Sequence, residues 1–333
     1  MYKSVASALL LASTPAFATD VLLIHAVPIP GYATDVVSKI SATGRFSVVD
    51  SWNGAASTPT LPDLLSYDAV MIMPDSYFAD GAALGTVLAQ YVDVGGGVVD
   101  SVFSVNWGSL YVSNAWFTDG YRPFEGNTQS NITGSLVPVT PHPLLSGVSN
   151  FSFEAFGYYG NDAVMRPGAL LVANWTDGVP LLAAWQPTGA GVVVGLNAYM
   201  PSTDIAGFGW NPAVSDGGTL MANALEFAAT GTIGLTAYTT GTCPGPTTIG
   251  VANATPGGSV AFVTGTPGGA FVVPSGPCAG TVLPLGAPAL RTTRTANGSG
   301  AITLPAVLAA PFCGVSWVAV DLSACTVSNV DTL

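Results

Sequence analysis

The sequence contains few charged residues, which make up only 8% of its 333 positions, against roughly 25% in a typical soluble protein. The charge is one-sided, since 19 acidic residues face seven basic ones and leave a net charge of -12. No stretch concentrates Lys or Arg, so we expect no nucleic-acid partner, because phosphate contacts need a basic patch. The surface must instead carry neutral polar groups, a composition that suits an extracytoplasmic protein.

Cysteine is absent from residues 1–242, and only His25 and His142 supply imidazole groups. This excludes a cysteine nucleophile from the first two thirds of the chain. The sequence also lacks C-x-x-C pairs and has no histidine after position 142, so we expect no metal site and no cofactor. No apolar run reaches the roughly 18 residues that a membrane-spanning helix needs.

The N-terminus has the three parts of a secretory signal peptide. Lys3 precedes an apolar stretch over residues 5–12, and Ala16-Phe17-Ala18 forms an A-x-A cleavage site. The alternative is a buried first strand that starts early. We expect residues 1–18 to be removed and the mature protein to be secreted or held at the cell surface.

Charge and cysteine divide the remaining chain into two predicted domains. Residues 19–229 carry 17 acidic and four basic residues, a net charge of -13, whereas residues 230–333 are neutral and contain all four cysteines. We therefore predict a first domain over 19–229, a Gly/Thr-rich linker over 230–242 and a second domain over 243–333.

The first domain alternates buried-strand patterns with amphipathic helical patterns. Val21–Ile24 is a continuous apolar run, typical of a strand buried on both faces, and a helix is predicted over 32–43. This alternation predicts an α/β fold with a flavodoxin-like, doubly wound, mostly parallel sheet. Later strands at 170–173, 181–185 and 191–196 form a predicted meander, closed by a helix over 220–229.

The second domain shows short apolar runs separated by Gly and Pro, with no helical periodicity. This pattern predicts an all-β, immunoglobulin-like sandwich. In an exported protein, an even number of cysteines indicates disulfides. Three pairings of the four cysteines are open, and the shortest loops favour Cys243–Cys278 and Cys313–Cys325.

Polar residues end several of the predicted strands. In a doubly wound sheet, ligands bind beyond the carboxyl ends of the strands, so we take these positions as site candidates. The alternative is that they cap helices or stabilise turns. The catalytic candidates are His25, Asp75, Asp100 and Glu154, and the ligand-binding candidates are Asp50 and Asn197.

Aromatic residues in predicted loops near the same edge could stack on sugar rings. Trp107 and Trp116 are the candidates from this group, and the alternative is that such rings fill small cores beneath long loops. An acidic first domain favours a cation or a neutral polar ligand over an anionic one. The partner that we expect is a neutral polysaccharide or another cell-surface component.

The first domain resembles the class I glutamine-amidotransferase-like fold, in particular its trehalose-utilisation-type branch. The matching segments are Val21–His25, Tyr67–Val70, Val94–Val98, His142–Val148, Gly189–Val194 and Leu220–Phe227. The resemblance implies a catalytic residue on a tight turn after a central strand, where this chain has Asp100 and Ser101 followed by bulky Val102 and Phe103. It also implies an acidic motif of which only Glu154 is present. The nucleophilic cysteine of amidotransferases is missing.

The second domain resembles a cysteine-framed β-sandwich module found at the C-termini of exported multidomain bacterial proteins. The matching segments are Cys243–Gly245, Ala254–Gly258, Gly276–Thr281, Cys313–Gly314, Cys325 and Ser328–Asn329. The resemblance implies a structural role, as a spacer, an adhesion unit or a surface-retention unit.

Two functions follow from these patterns. The first is a secreted or cell-surface, non-catalytic binding or structural protein. The alternative is an extracellular hydrolase or carbohydrate-modifying enzyme with its site at the carboxyl ends of the strands. An open cleft lined by paired carboxylates would favour the enzyme, whereas a cleft filled by aromatic rings would favour the binding protein.

Overall fold

A computed structural model describes residues 19–104, 112–139, 142–187, 191–231, 233–298 and 300–333. The predicted signal peptide, residues 1–18, lies outside the described residues. No helix within the described ranges is both long enough and apolar enough to cross a membrane.

The first part of the chain is an α/β structure built on one large sheet. The strands of this part are β1 (Thr19–Ala26), β2 (Phe46–Asn53), β3 (Ala69–Pro74), β4 (Gly97–Ser101), β5 (Phe124–Glu125), β6 (Ser130–Pro138), β7 (Ser152–Tyr159), β8 (Val164–Met165), β9 (Leu170–Trp175), β10 (Pro180–Trp185) and β11 (Val193–Leu196). Strands β5 and β8 pair with each other outside the large sheet. The helices of this part are α1 (Pro30–Ser41), α2 (Leu61–Leu64), α3 (Gly81–Asp93), α4 (Ala115–Thr118), α5 (Thr203–Ala206) and α6 (Gly217–Thr230).

The helix boundaries have local causes. Proline lies at the first turn of α1, where its missing N–H costs nothing and its fixed φ fits a helix. Asp80 caps α3 because its carboxylate accepts hydrogen bonds from the backbone N–H groups of Ala82 and Ala83. The predicted helices over 32–43 and 220–229 correspond to α1 and α6.

The large sheet is mixed and has nine strands in the order β2-β1-β3-β4-β11-β10-β9-β6-β7. The first five strands are mutually parallel, and the remaining contacts are antiparallel. The meander predicted from residues 170–196 is present as β9, β10 and β11. The sequence patterns did not predict β6 and β7, which extend the sheet by two antiparallel strands.

Successive side chains on β1 enter different apolar layers, as the two-residue period of a strand requires. Val21 and Leu23 pack in the layer that includes residues of α1 and α6. Leu22 and Ile24 pack in the layer that includes residues of α3. Burial on both faces explains why the run from Val21 to Ile24 is continuously apolar.

The second part of the chain consists of antiparallel strands in two sheets. Its strands are β12 (Thr236–Gly241), β13 (Gly245–Ala252), β14 (Ser259–Val272), β15 (Val282–Thr295), β16 (Ile302–Leu308), β17 (Ser316–Asp321), β18 (Thr326–Val327) and β19 (Asp331–Thr332). One sheet has the order β12-β13-β16, the other β15-β14-β17-β18, with β19 also paired to β17. Part of the predicted linker over 230–242 is therefore strand β12.

Both sheets of the second part contribute to one apolar cluster. Val251 and Ile302 come from the first sheet, and Phe262 and Trp317 from the second. The rings of Phe262 and Trp317 are stacked, with centroids 5.5 Å apart. The two sheets thus share a core, which explains the alternation of apolar and polar residues along these strands.

The disulfide pairing differs from the predicted one. Cys243 is bonded to Cys313 and Cys278 to Cys325, with Cα–Cα distances of 5.5 and 5.2 Å. The sequential pairing was wrong because strand pairing, rather than loop length, decides which cysteines meet. Antiparallel pairing of β13 with β16 joins the first pair, whereas the second forms where the loop between β14 and β15, which holds Cys278, lies against the end of β17 at Asp321 and Leu322. Two disulfides are typical of an extracytoplasmic protein.

Candidate functional site

The parallel strands bring several of the predicted site residues to the carboxyl edge of the large sheet. His25 on β1 is paired with Asn53 on β2 and Met73 on β3. Asp75 immediately follows β3, and its backbone N–H donates to the carbonyl of Ala26. This edge is where ligands bind in doubly wound sheets.

His25 is enclosed at the end of β1, with 9% of its surface exposed. Its Nδ1 atom has no hydrogen-bond partner among the described residues. Burial lowers the pKa of His25 below its usual value, because the charged imidazolium is poorly solvated there. The side chain is therefore neutral near pH 7, a form able to accept or donate one proton.

Asp75 lies on the same face of the sheet as His25. Its carboxylate accepts a 2.7 Å hydrogen bond from the hydroxyl of buried Tyr199, which packs in the same apolar layer as Met73. Partial burial raises the pKa of Asp75, and the hydrogen bond from Tyr199 opposes this rise. The pair anchors the segment after β11 to the end of β3.

Asp100, on β4, is completely buried. Burial raises its pKa to about 6, while Ser104, Arg122 and Trp116, which face the carboxylate, act in the opposite direction. Neither carboxylate oxygen has a hydrogen-bond partner in good geometry among the described residues. A carboxyl group so enclosed cannot meet a substrate without movement of the residues around it.

Asp100 and His25 are on opposite faces of the sheet. Asp100 pairs with Ile72, whereas His25 pairs with Met73, the next residue along β3. Successive side chains of a strand point to opposite faces of the sheet, so residues that pair with neighbouring positions of β3 lie on opposite faces. Trp116, in the layer beside α3, accordingly faces Asp100. The structure does not gather His25, Asp75 and Asp100 into one cluster.

The turn after β4 has the backbone of a nucleophile elbow but an apolar side chain. Phe103 has a φ of 75°, a left-handed conformation that costs energy for any residue other than glycine. Such strain after a central strand is the feature that exposes a nucleophile in hydrolases. Here Ser101 Oγ instead donates a 2.7 Å hydrogen bond to the carbonyl of Ile72 inside the sheet.

Six aromatic rings close the carboxyl edge on the face of His25 and Asp75. We call them the edge aromatic cluster: Tyr32, Phe103, Phe156, Tyr158, Tyr199 and Phe208. The ring of Phe103 packs 5.7 Å from that of Tyr158 and 5.8 Å from that of Tyr199. The ring of Phe208 stacks on Tyr199 at 5.3 Å. These rings occupy the space above the elbow.

Asn197, which follows β11, has a structural position. It is fully buried; its side chain accepts from the N–H of Gly160 and donates to the carbonyls of Gly160 and Pro180. All the polar atoms of this amide are thus satisfied within the protein. The residue joins two loops, and its complete burial keeps the amide away from a ligand.

Asp50 and Glu154 lie away from the strand ends. Asp50 is inside β2, level with Leu22, and its exposed carboxylate accepts a hydrogen bond from Tyr67. Glu154 is exposed on β7, at the far edge of the sheet, and accepts a hydrogen bond from the amide of Asn211.

Within the described parts of the chain, no group of three or more His, Cys, Asp or Glu is placed to hold a metal ion.

The two tryptophan candidates do not form a binding surface within the described residues. Trp107 lies outside the described residues. Trp116 is fully buried, and its ring is stacked on that of Tyr121 at 5.8 Å. The exposed ring of the edge aromatic cluster is Phe156, on β7, which sequence reasoning missed because it did not identify that strand.

No protein-family model matches the chain, and no curated protein matches it. Among solved structures, the mmIFT52 N-terminal domain matches 65% of this chain and 100% of its own, with 13% identity and a TM-score of 0.44. A putative ThuA-like protein from Bacteroides uniformis matches 65% of this chain and 94% of its own, with 11% identity and a TM-score of 0.42.

A tetra-tandem repeat from the extending region of a large adhesion protein matches 61% of this chain and 40% of its own, with 13% identity and a TM-score of 0.17. At these identities and scores, the similarities identify neither a family nor an activity.

Proposed function

We propose that the chain is an exported, non-catalytic binding or structural protein whose α/β domain is an inactive form of the trehalose-utilisation-type fold. The observation that best supports this proposal is the position of Phe103. It occupies the strained turn where a hydrolase of this kind would hold its catalytic group, and a phenyl ring can neither transfer a proton nor attack a substrate. The edge aromatic cluster packs over it and excludes a substrate from the turn.

The finer fold assignment rests on strand order and on shared cores. The parallel strands follow the order β2-β1-β3-β4-β11, which is the flavodoxin-like order. In the second part, two antiparallel sheets share a core, as in immunoglobulin-like sandwiches. The disulfides Cys243–Cys313 and Cys278–Cys325 brace this second domain, which acts as a spacer or as a surface-retention unit.

A neutral polysaccharide is the ligand that we propose for the α/β domain. Phe156 is 37% exposed, and its ring is stacked on Phe208 with an interplanar angle of 11°. Two residues earlier on β7, Glu154 is hydrogen-bonded to Asn211 at 3.1 Å. A fixed ring beside a carboxylate and an amide suits a sugar ring, which offers an apolar face and a rim of hydroxyl groups.

A glycan array with the mature protein tests this proposal. We expect binding to neutral glycans, and we expect Phe156→Ala to lose it. The matched control is Phe312→Ala, since Phe312 is also an exposed phenylalanine, 51% exposed, but lies in the second domain. Equal binding by wild type and Phe156→Ala, or no binding to any neutral glycan, would contradict the assignment of ligand and surface.

The alternative function, an extracellular hydrolase or carbohydrate-modifying enzyme, has one observation in its favour. Asp75 is half-buried at the sheet edge with a raised pKa, as a general acid requires. It would have to act with His25 on the same face, because Asp100 faces the other apolar layer. Tyr199, which donates to Asp75, belongs to the edge aromatic cluster, and that cluster leaves this carboxyl without an open cleft.

A further inference from the structure

Two of the four basic residues between positions 19 and 229 meet at one cavity. Arg122 and Arg166 both line a depression of about 400 Å³ beside α4 and β5, whose wall includes Phe117. Burial lowers the pKa of Arg122, and the Arg166 guanidinium is close enough to lower it further by like-charge repulsion, while Asp100 acts in the opposite direction. The domain has a net charge of -13, so a cavity that two arginines line differs in charge from the rest of its surface.

Arg122 is a fixed part of this cavity. It is 3% exposed, and its guanidinium carbon lies 4.3 Å from the centre of the Phe117 ring, in a cation–π arrangement. Its Nη1 donates to the carbonyl of Ser104. A buried guanidinium held by the Phe117 ring and the Ser104 carbonyl is pre-organised for an anion, since little side-chain freedom remains to be lost on binding.

Arg166 supplies the accessible donor. Its Nε donates a 2.8 Å hydrogen bond to the carbonyl of Arg122, and its Nη2 is 2.9 Å from Glu125 Oε1. No described residue accepts a hydrogen bond from its Nη1, the atom that a side chain at Gly120 would approach to 3.1 Å. One edge of the guanidinium is therefore fixed by the protein, while Nη1 can still donate.

Glu125 occupies the place of a bound carboxylate. Its side chain is 52% exposed, against 20% for Arg166, so the ion pair is one that solvent weakens. A carboxylate on a ligand can replace Glu125 at Arg166, and Thr118 and Asn127 on the cavity wall offer neutral hydrogen-bonding groups. Asp100, which also faces Arg122, is fully buried and does not reach the cavity.

We propose that this cavity between Arg122 and Arg166 binds a small organic ligand that carries a single carboxylate group. The planar guanidinium fork matches a carboxylate. The acidic field of the domain favours a singly charged group over a phosphate monoester, whose charge is nearly twice as large. The site is separate from the edge aromatic cluster and does not depend on the proposed function.

Titration of the mature protein with glucuronate, and with glucose as the matched neutral sugar, tests the proposal. We expect glucuronate to bind and to raise the melting temperature at millimolar concentrations, and glucose to leave this cavity unchanged. Chemical-shift changes in a protein labelled at its arginine side chains report binding at the cavity itself, apart from any sugar bound at Phe156.

Three variants test the proposal, which predicts weaker glucuronate binding for one, stronger binding for another and no change for the third. Arg166→Gln should weaken glucuronate binding at least tenfold, whereas Glu125→Gln should strengthen it, because the competing carboxylate is gone. Arg45→Gln, which removes an arginine paired with exposed Glu226 outside the cavity, should bind as the wild type does. Failure of the wild type to bind glucuronate, equal loss in Arg45→Gln and Arg166→Gln, or weaker binding by Glu125→Gln would each overturn the proposal.

Discussion

The buried carboxyl of Asp100 makes the stability of the α/β domain depend on pH in a defined direction. Burial raises the pKa of this group from 3.8 to about 6, so the folded state holds its proton more tightly than the unfolded state does. The stabilisation from this group is therefore fully present only below the unfolded pKa of 3.8 and is lost as the pH rises through about 6. At about 1.36 kcal/mol per pKa unit, this rise in the pKa of Asp100 corresponds to a maximum stabilisation of the folded state of about 3 kcal/mol.

The comparison of wild type with Asp100→Asn isolates that contribution. Asparagine has nearly the same shape and does not titrate, so the variant lacks this pH dependence whatever its absolute stability. We expect the free energy of unfolding of the variant, relative to wild type, to rise by about 2 kcal/mol between pH 4 and pH 8, since the unfolded carboxyl is already partly ionised at pH 4. The comparison cancels the titration of every other group, including Asp75 and the two histidines.

Urea denaturation followed by tryptophan fluorescence measures this difference, because Trp116 is buried and faces Asp100. Asp50→Asn serves as a control for the loss of one formal charge, since Asp50 is exposed on an edge strand of the same sheet. A stability difference between wild type and Asp100→Asn that is the same at pH 4 and pH 8 would refute the reasoning.

Four further predictions concern the architecture and the processing of the chain. Peptide mapping without reduction should give cross-linked peptides for Cys243–Cys313 and Cys278–Cys325, and a Cys243–Cys278 peptide would contradict the fold. Reduction should destabilise the second domain by about 2–5 kcal/mol per bond, while the first domain, which lacks cysteine, keeps its melting temperature; one shared transition lowered as a whole would rule out independent domains. Asn197→Ala should lower the free energy of unfolding by at least about 3 kcal/mol in urea titration, because three hydrogen bonds of a buried side chain are lost, whereas Asn211→Ala, at an exposed pair, should have little effect. Intact-mass analysis of the secreted protein should show an N-terminus at Thr19, and a retained segment 1–18 would exclude the signal peptide.

The elements with strong local patterns were predictable from the sequence. The apolar run from Val21 to Ile24 indicates a strand buried on both faces, and α1 and α6 follow from their helical periodicity. β6 and β7 were not predicted because their residues mix glycine, polar and aromatic side chains without a clear period. Their position is fixed by the pairing of β6 with β9 and of β7 with β6, contacts between separate parts of the chain that no local pattern records.

The candidate site was predictable only to the level of the sheet edge. Strand order brings His25 and Asp75 to one edge, but the face on which Asp100 lies depends on pairing register, which the sequence alone does not specify. The left-handed backbone of Phe103 is a tertiary feature of the turn after β4. The disulfides show the same limit, because they join cysteines that strand pairing, not sequence distance, brings together.

The central claim is that the α/β domain has no catalytic activity, and the most direct test is a turnover screen of the purified mature protein. Amide, ester and glycoside substrates should be assayed with the wild type, His25→Ala, Asp75→Asn and Asp100→Asn. The account predicts that all four proteins show the uncatalysed rate, because Phe103 and the edge aromatic cluster occupy the position of a catalytic group. Turnover by the wild type that is lost in His25→Ala or Asp75→Asn, while both variants remain folded, would contradict it.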